Sequence, residues 1–352
     1  MRERERETSA LVANKSNNSN LHSAKNAKND EFYTQYDDIA KELNHYKEQL
    51  KGKNILCPCD FDFYLLSEDE KKIIQNGKLL KQYNDGFNFS RFLRAKEDEW
   101  NLNLTFSAYN PQTNEGIPFQ ESIKEFAKKY PDGIIITNPP FSLFREFIQT
   151  IIECNLKFLI IGNKNAITYK EVFKYIKEDK LWLGYTSAEE FIQPDSNEPK
   201  NIKGLTRWFT NLDVEPRHQR LILTEKYDPQ LYPTYDNYNA INVDKVKDIP
   251  CDYSGYIGVP ITFLDKYNPK QFEIIALGIV GSIDFTKDDI KMECLDKNGN
   301  FNGKYTTNAK GTLYTKYTGL HKKAFRDTET GEYYSSHYAR VIIRNKLVRK
   351  DN

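Results

Sequence analysis

The chain has no G-x-G cluster after its first apolar run, although it holds 17 glycines in 352 residues. That excludes the glycine-rich turn by which many nucleotide- and cofactor-binding α/β proteins are recognised. It also lacks any run of about 18 or more apolar residues, so no membrane-spanning helix is expected. Met1 to Glu7 alternates Arg and Glu without an apolar core, which is not the pattern of a secretory signal. Cysteine is sparse and odd in number: Cys57, Cys59, Cys154, Cys251 and Cys294. Such a set in a large chain reads as reduced thiols in a cytosolic protein. The Cys57-x-Cys59 spacing is not that of a zinc site, and the five histidines are scattered, so no metal is expected. Charge of one sign is lacking too. The formal net charge is +1, so a polyanionic partner would need a local basic face rather than a globally basic chain.

What is present centres on Ile134-Ile135-Ile136-Thr137-Asn138-Pro139-Pro140-Phe141-Ser142. Three β-branched apolar residues predict a fully buried strand. Asn-Pro-Pro ends it, because a proline has no N–H for the ladder and restricts the residue before it. Leu143, Phe144, Phe147, Ile148, Ile151 and Ile152 then recur at helical spacing. A polar side chain, a pair of fixed carbonyls and an aromatic ring therefore fall at the carboxyl end of a buried strand, the edge where open α/β sheets bind ligands. These residue types suit one kind of chemistry. An exocyclic amino group on a base is a poor nucleophile because its lone pair is delocalised into the ring. The Asn138 side-chain carbonyl and the Pro139 backbone carbonyl, aimed at its N–H bonds, can turn that lone pair out of the ring plane. Phe141 offers a face for a planar substrate to stack on.

Around this centre the chain reads as follows. Residues 1–28 are charged and polar with almost no apolar anchor, and predict a disordered tail. Ile39, Leu43, Tyr46 and Leu50 mark one face of a helix within Asp30 to Lys51. Asn54 to Asp60 predicts the first strand and its turn. Ser67 to Asn88 reads as an insertion, with a short helix around Glu68 to Asn76 and a helical pattern resuming at Phe89. Leu102 to Tyr109 alternates as a second strand, and Ser122 to Lys129 is helical. Lys157 to Ile161 predicts a further buried strand ended at Gly162. A helix over Thr168 to Glu178 follows, then a short strand at Leu181 to Gly184. Glu189 to Gly204 is polar and contains proline, so a loop is expected before a strand over Gly204 to Leu212. From about Tyr227 the composition shifts to Tyr, Asn, Pro and Asp, which predicts irregular backbone. Gly258 to Leu264, Phe272 to Ile279 and Tyr338 to Arg344 are strand-like, and Asp296 to Asn300 has the composition of a turn.

The motif Asn138-Pro139-Pro140-Phe141 resembles the catalytic loop of amino-group methyltransferases that use S-adenosylmethionine (AdoMet). More closely, the chain resembles the EcoRI-like family of adenine-specific DNA methyltransferases. The resemblance rests on Asp30 to Tyr36, Thr137 to Arg145, Phe158 to Tyr169, Trp208 to Leu212 and Tyr235 to Asp244. It covers most of the chain from about Asp30 onward. It implies an α/β, Rossmann-like AdoMet methyltransferase fold, with a mixed seven-stranded sheet, helices on both faces and a C-terminal strand-rich target-recognition region. It also implies that Phe32, Tyr33 and Thr34 lie against AdoMet. The turn after the first strand is Cys-x-Cys-Asp in this family as in this chain, which places Cys59 and Asp60 near the cofactor. No acid stands at the end of the second strand to hold the cofactor ribose, so Ser107, or Tyr109, is the substitute. Phe119 is a candidate to pack on the cofactor adenine, with core packing as the alternative, and Asn138 would border the cofactor as well as the substrate.

The implied domains are the tail at 1–28, a catalytic domain at 29–220 and a recognition region at 221–352. In the last, basic residues alternate with aromatics, which suits phosphate contacts and base stacking. Lys304, Lys310, Lys316, Lys322 and Arg340 are the candidate DNA contacts, with a solvated charged face as the alternative. The implied activity is methylation of the 6-amino group of an adenine flipped out of duplex DNA, in a restriction–modification system with a cognate endonuclease or as an orphan methylase. The protein would act in the bacterial cytoplasm, on nucleoid DNA, with no membrane partner and no metal. Two other readings stand beside it. One is an RNA or protein-glutamine methyltransferase using the same loop. The other is an inert DNA-binding module, kept open by the missing glycine-rich turn and separable by AdoMet affinity.

Overall fold

The computed structural model describes residues 33–59, 67–69, 72, 88–110, 115–192, 199–201, 204–279, 281–286, 291–296, 298–306, 312–316, 324–337 and 339–348. The tail at 1–28 and most of the insertion at 67–88 lie outside the described residues. The chain divides into two compact units, residues 1–164 with 186–207, and residues 165–185 with 208–352.

The first unit is built on short strands that are apolar on both faces. They are β2 (Asn54–Cys57), β3 (Asn103–Phe106), β6 (Ile134–Thr137) and β7 (Lys157–Asn163). β2 pairs in parallel with β3 and with β6, and β6 pairs in parallel with β7. Ile134, Ile135 and Ile136 and the run Phe158 to Ile161 are almost wholly removed from water. Each such side chain is worth roughly 1.5–3 kcal/mol of burial, which is why these runs fix the centre of the sheet. The whole hydrogen-bonded sheet has the order β3-β2-β6-β7-β11-β8; β8 (Trp182–Leu183) and most of β11 (Thr206–Thr210) belong by sequence to the second unit's residues. β8 runs antiparallel to β11, so the sheet is mixed. Six strands form it among the described residues, where seven were expected.

The helices follow the apolar spacing. In α1 (Tyr36–Leu43) and the turns after it, Ile39, Leu43, Tyr46 and Leu50 are fully buried, as their spacing predicts. In α2 (Asn88–Ala95) Phe89, Phe92 and Leu93 are buried. In α3 (Phe119–Lys129) the buried residues include Ile123 and Phe126. α4 (Phe144–Glu153) buries Phe144, Phe147, Ile148 and Ile151. Gly162 does not end β7 but lies within it, and a Cβ there would come 2.3 Å from the Phe144 ring. The glycine lets α4 lie directly on the strand.

The polar stretch expected to be a loop instead contains two strands. β9 (Glu190–Ile192) pairs antiparallel with β1 (Tyr33–Thr34) and with β10 (Pro199–Asn201). Backbone pairing with β1 outweighs a sequence that lacks strand-like alternation, and Pro199 is tolerated as the first residue of an edge strand. A small hairpin of β4 (Tyr109–Asn110) and β5 (Glu115–Gly116) follows β3.

The second unit contains α5 (Lys170–Lys177) and two further sheets. One has the order β12-β13-β20-β14, from Ile241–Asn242, Ile257–Pro260, Arg340–Asn345 and Phe272–Leu277. The strand expected to run to Leu264 stops at Pro260, and Ile261–Lys266 forms a 3-10 turn burying Phe263 and Leu264. Proline presets φ for a helical entry, so Pro260 turns an apolar run that otherwise reads as strand. The other sheet is an antiparallel array, β16-β15-β18-β19-β17, from Phe301–Thr306, Met292–Leu295, Ala324–Asp327, Tyr333–His337 and Leu313–Lys316. Met292, Tyr314 and Tyr334 close its core with Phe325 packed on them. No described helix is long and apolar enough to cross a membrane.

Candidate active site

Strand order locates the site in the first unit. From β2 the chain moves to β3 on one side, whereas β6 lies on the other side of β2 and leads outward to β7. The direction reverses between β2 and β6, and ligands of open α/β sheets bind outside the carboxyl ends of strands at such a reversal. Three residues singled out from sequence occupy that edge. Cys59, half-buried, follows β2. Ser107, fully buried, follows β3, and Asn138, half-buried, follows β6. The Ser107 N–H donates to the Cys57 carbonyl at 3.3 Å, which carries the β2–β3 ladder one residue past the strand end.

The Asn138 loop is short and held at both ends. Thr137 is fully buried as the last residue of β6. Pro139 is buried, and Pro140 caps a 3-10 turn over Phe141–Leu143 in which the Leu143 N–H donates to the Pro140 carbonyl at 3.0 Å. That turn leads straight into α4. Two prolines, a 3-10 turn and a buried helix leave the loop few alternative conformations, so Asn138 and the half-buried Phe141 ring are preorganised by covalent structure and packing.

The remaining candidates divide. Thr34 is buried in β1, and its carbonyl accepts from Asn88 Nδ2 at 2.8 Å. Tyr33 is the other residue of that strand. Phe32 and Asp60 lie outside the described residues. Phe119 opens α3, buried against Phe147 with ring centroids 5.0 Å apart. Ser107 Oγ donates to the Ile117 carbonyl at 3.5 Å, where the β4–β5 hairpin folds back. That fold needs glycine, because Gly116 has φ +92° and a Cβ there would lie 2.3 Å from the Ala108 carbonyl oxygen. Tyr109 is half-buried in the same hairpin. In the second unit Lys304 is exposed on β16. Lys316 donates to Glu332 Oε1 at 3.0 Å, and Arg340 to Asp244 Oδ1 at 2.6 Å. Lys310 and Lys322 lie outside the described residues.

Two features of the structure could not be seen in the sequence. Thr34 and Thr137 each bury a hydroxyl with no hydrogen-bond partner among the described residues. A buried donor left unmade costs about 1–3 kcal/mol, so such a pair is an observation that calls for a ligand or a water. The second feature is a polar brace on α1. Glu42 is fully buried and accepts from Tyr46 Oη at 2.8 Å and from the Thr186 N–H and hydroxyl, each at 2.7 Å. Asp38 Oδ2 accepts from the Glu189 N–H at 2.9 Å. The brace fixes the segment that runs into β9, which in turn pairs with β1. Acids on the buried face of an amphipathic helix are the hint of it that the sequence carries.

A parallel-centred α/β sheet with an Asn-Pro-Pro-Phe loop at its strand reversal is the arrangement that the resemblance to amino-group methyltransferases implies. Residues 20–65 and 107–346 match the family described as "Adenine-specific methyltransferase EcoRI". The Type II methyltransferase M.EcoRI of Escherichia coli is 41% identical over 297 residues, covering 75% of this chain and 90% of that protein. M.MpnI of Mycoplasma pneumoniae is 34% identical over 290 residues, covering 72% of this chain and 83% of its own. M.MgeORF184P of Mycoplasma genitalium is 34% identical over 277 residues, covering 72% and 84%. No solved structure matches the chain. The chain belongs to the EcoRI family of adenine-specific methyltransferases.

Proposed function

We propose that this chain is a site-specific DNA methyltransferase that transfers a methyl group from AdoMet to the 6-amino group of an adenine flipped from duplex DNA. The observation that carries the reading is the position of Asn138-Pro139-Pro140-Phe141 at the carboxyl end of β6, beside the strand reversal, within the region matching the family. The Asn138 side-chain carbonyl and the Pro139 carbonyl accept the two amino N–H bonds and turn the nitrogen lone pair toward the methyl donor. Phe141 stacks on the extruded base. Most of the acceleration comes from holding that nitrogen in line with the reacting carbon.

AdoMet, when bound, supplies the electrophilic methyl group on a sulfonium. The chain's residues suit it in three respects. The buried hydroxyls of Thr34 and Thr137 lack protein partners among the described residues, as polar atoms awaiting a ligand would. Cys59 and Ser107 border the same strand ends, where backbone and side-chain groups meet a cofactor in this class of sheet. Tyr33, and with it Phe32 and Asp60, completes the set by sequence. Phe119 contributes by packing α3 on α4 beneath the site.

The fold is read as Rossmann-like, supported by the reversal at β2/β6 and the antiparallel β8. Residues 29–220 then form the catalytic domain and 221–352 the target-recognition region, with Lys304 as a phosphate contact. The setting is restriction–modification in the bacterial cytoplasm, with duplex DNA as substrate and an endonuclease of the same specificity as a possible companion. The test is modification calling on DNA from a methylation-free host expressing the chain, beside an Asn138→Ala control. Methylated adenine in one short motif, absent from the control, is the expected result. Unmodified DNA from folded wild-type protein overturns the reading.

A further inference from the structure

The second unit holds a concave polar site that methyl transfer does not use. A cavity of about 180 Å³ is lined by Asn242, Asp244, Asp248, Thr315, Lys316 and His337, among others. Its inner wall is a built network. Asn242, Thr315 and His337 are buried. Tyr235 Oη donates to Asn242 Oδ1 at 2.8 Å, and burial pushes that phenol far above its usual range, so it stays a donor. This fixes the Asn242 amide, whose Nδ2 donates to Asp244 Oδ1 at 3.0 Å. Arg340 donates to the same oxygen at 2.6 Å and stands 3.4 Å from His337 Nδ1. His337 Nε2 in turn lies 2.8 Å from Thr315 Oγ1.

The charge balance narrows the ligand. A phosphate site needs cations without counter-charges. Here Arg340 is paired with Asp244 and Lys316 with Glu332, and two carboxylates line the cavity. Such a site repels phosphate and favours a neutral group that presents N–H donors. A carboxylate accepts about four hydrogen bonds, and the Asp244 side chain, 54% exposed, presents acceptor oxygen to the cavity beside the Asn242 and Arg340 donors. On DNA the matching groups are the exocyclic amines of cytosine and adenine, for which acidic and amide side chains are the usual readers.

We propose that this cavity reads the exocyclic amino group of one base in the recognition sequence other than the methylated adenine. Asp244 is the acceptor, and Asn242 and Arg340 are positioning residues that aim it. The inference rests on the DNA-methylation reading above and assigns part of its sequence specificity to one pocket.

The test uses full-length protein and duplexes carrying the motif found by modification calling. At each non-target cytosine or adenine the base is replaced by an analogue without the amino group, and kcat/KM is measured. Wild type should lose roughly 5- to 150-fold at one such position. Asp244→Asn should abolish that dependence and admit a base with an acceptor there. Asp244→Glu, which keeps the charge for Arg340, is the second variant and should weaken discrimination at the same position. Wild type that depends on no non-target amino group, or folded variants with unchanged discrimination, overturn the inference while the methylation reading stands. Wild type that modifies no DNA overturns both.

Discussion

At the scale of single residues, the site makes different demands of Asn138, Phe141 and Thr137. Asn138 supplies an acceptor used only while the amino nitrogen is turned toward the methyl donor. Removing a preorganised group of that kind costs about 100-fold or more in turnover, so Asn138→Ala should retain its fold and AdoMet binding but lose single-turnover rate on that scale. Near-normal rates would refute the role. Phe141 acts by stacking, worth about 1–3 kcal/mol per base. Phe141→Ala should therefore lower kcat/KM less than the asparagine change does, with most of the loss in DNA binding. Thr137 was visible in sequence only as the end of a strand. Its hydroxyl is buried without a protein partner among the described residues, which costs the free protein about 1–3 kcal/mol. Thr137→Val keeps the shape and removes that cost. The expected outcome is a higher melting temperature without ligand, together with weaker AdoMet binding by calorimetry. A variant that is more stable and binds AdoMet normally would assign the hydroxyl to packing alone.

At the scale of elements, the strands carrying the site were legible because they are buried on both faces. Ile134 to Ile136 and Phe158 to Ile161 leave no other reading, and Pro139 and Pro140 mark where the strand must stop. What escaped was structure held by partners distant in sequence. β9 pairs with β1 across more than a hundred intervening residues, and nothing local in Glu190–Ile192 announces it. The antiparallel array from Met292 to His337 escaped for another reason: β15–β16 and β18–β19 pair as local hairpins, but their basic and aromatic composition describes a surface rather than a ladder. Glu42 shows the consequence for function. It is a buried carboxylate with three donors, two of them from Thr186. Glu42→Ala leaves those donors unmade, and the cost should be roughly 2–4 kcal/mol, read as a lowered denaturation midpoint. The brace steadies the segment entering β9, against which β1 lies, so the loss should also weaken AdoMet binding. Glu42→Gln, which keeps one acceptor, should fall between. Equal stability in all three proteins would remove the brace from the account.

At the scale of the whole molecule, a net charge of +1 sets a constraint on DNA binding. Attraction to a polyanion must come from cations left uncompensated on one face, because the sum over the chain is close to zero. Arg340 and Lys316 have carboxylate partners, whereas Lys304 stands exposed on the edge strand β16. Each phosphate contact contributes about 0.9 to the slope of log K against log salt. Lys304→Ala should therefore reduce the slope by about 1 and weaken cognate and non-cognate duplexes alike. Lys316→Ala should change the slope by less, because Glu332 already offsets the Lys316 charge, so that lysine displaces less counterion from the backbone. The two variants are compared by titrating labelled duplex at several salt concentrations. If Lys316 carries the larger share of the slope, its pairing with Glu332 is broken in the complex, and the basic face of the array is assembled by DNA rather than present beforehand. If neither variant moves the slope, the cations that hold DNA lie on other parts of the chain.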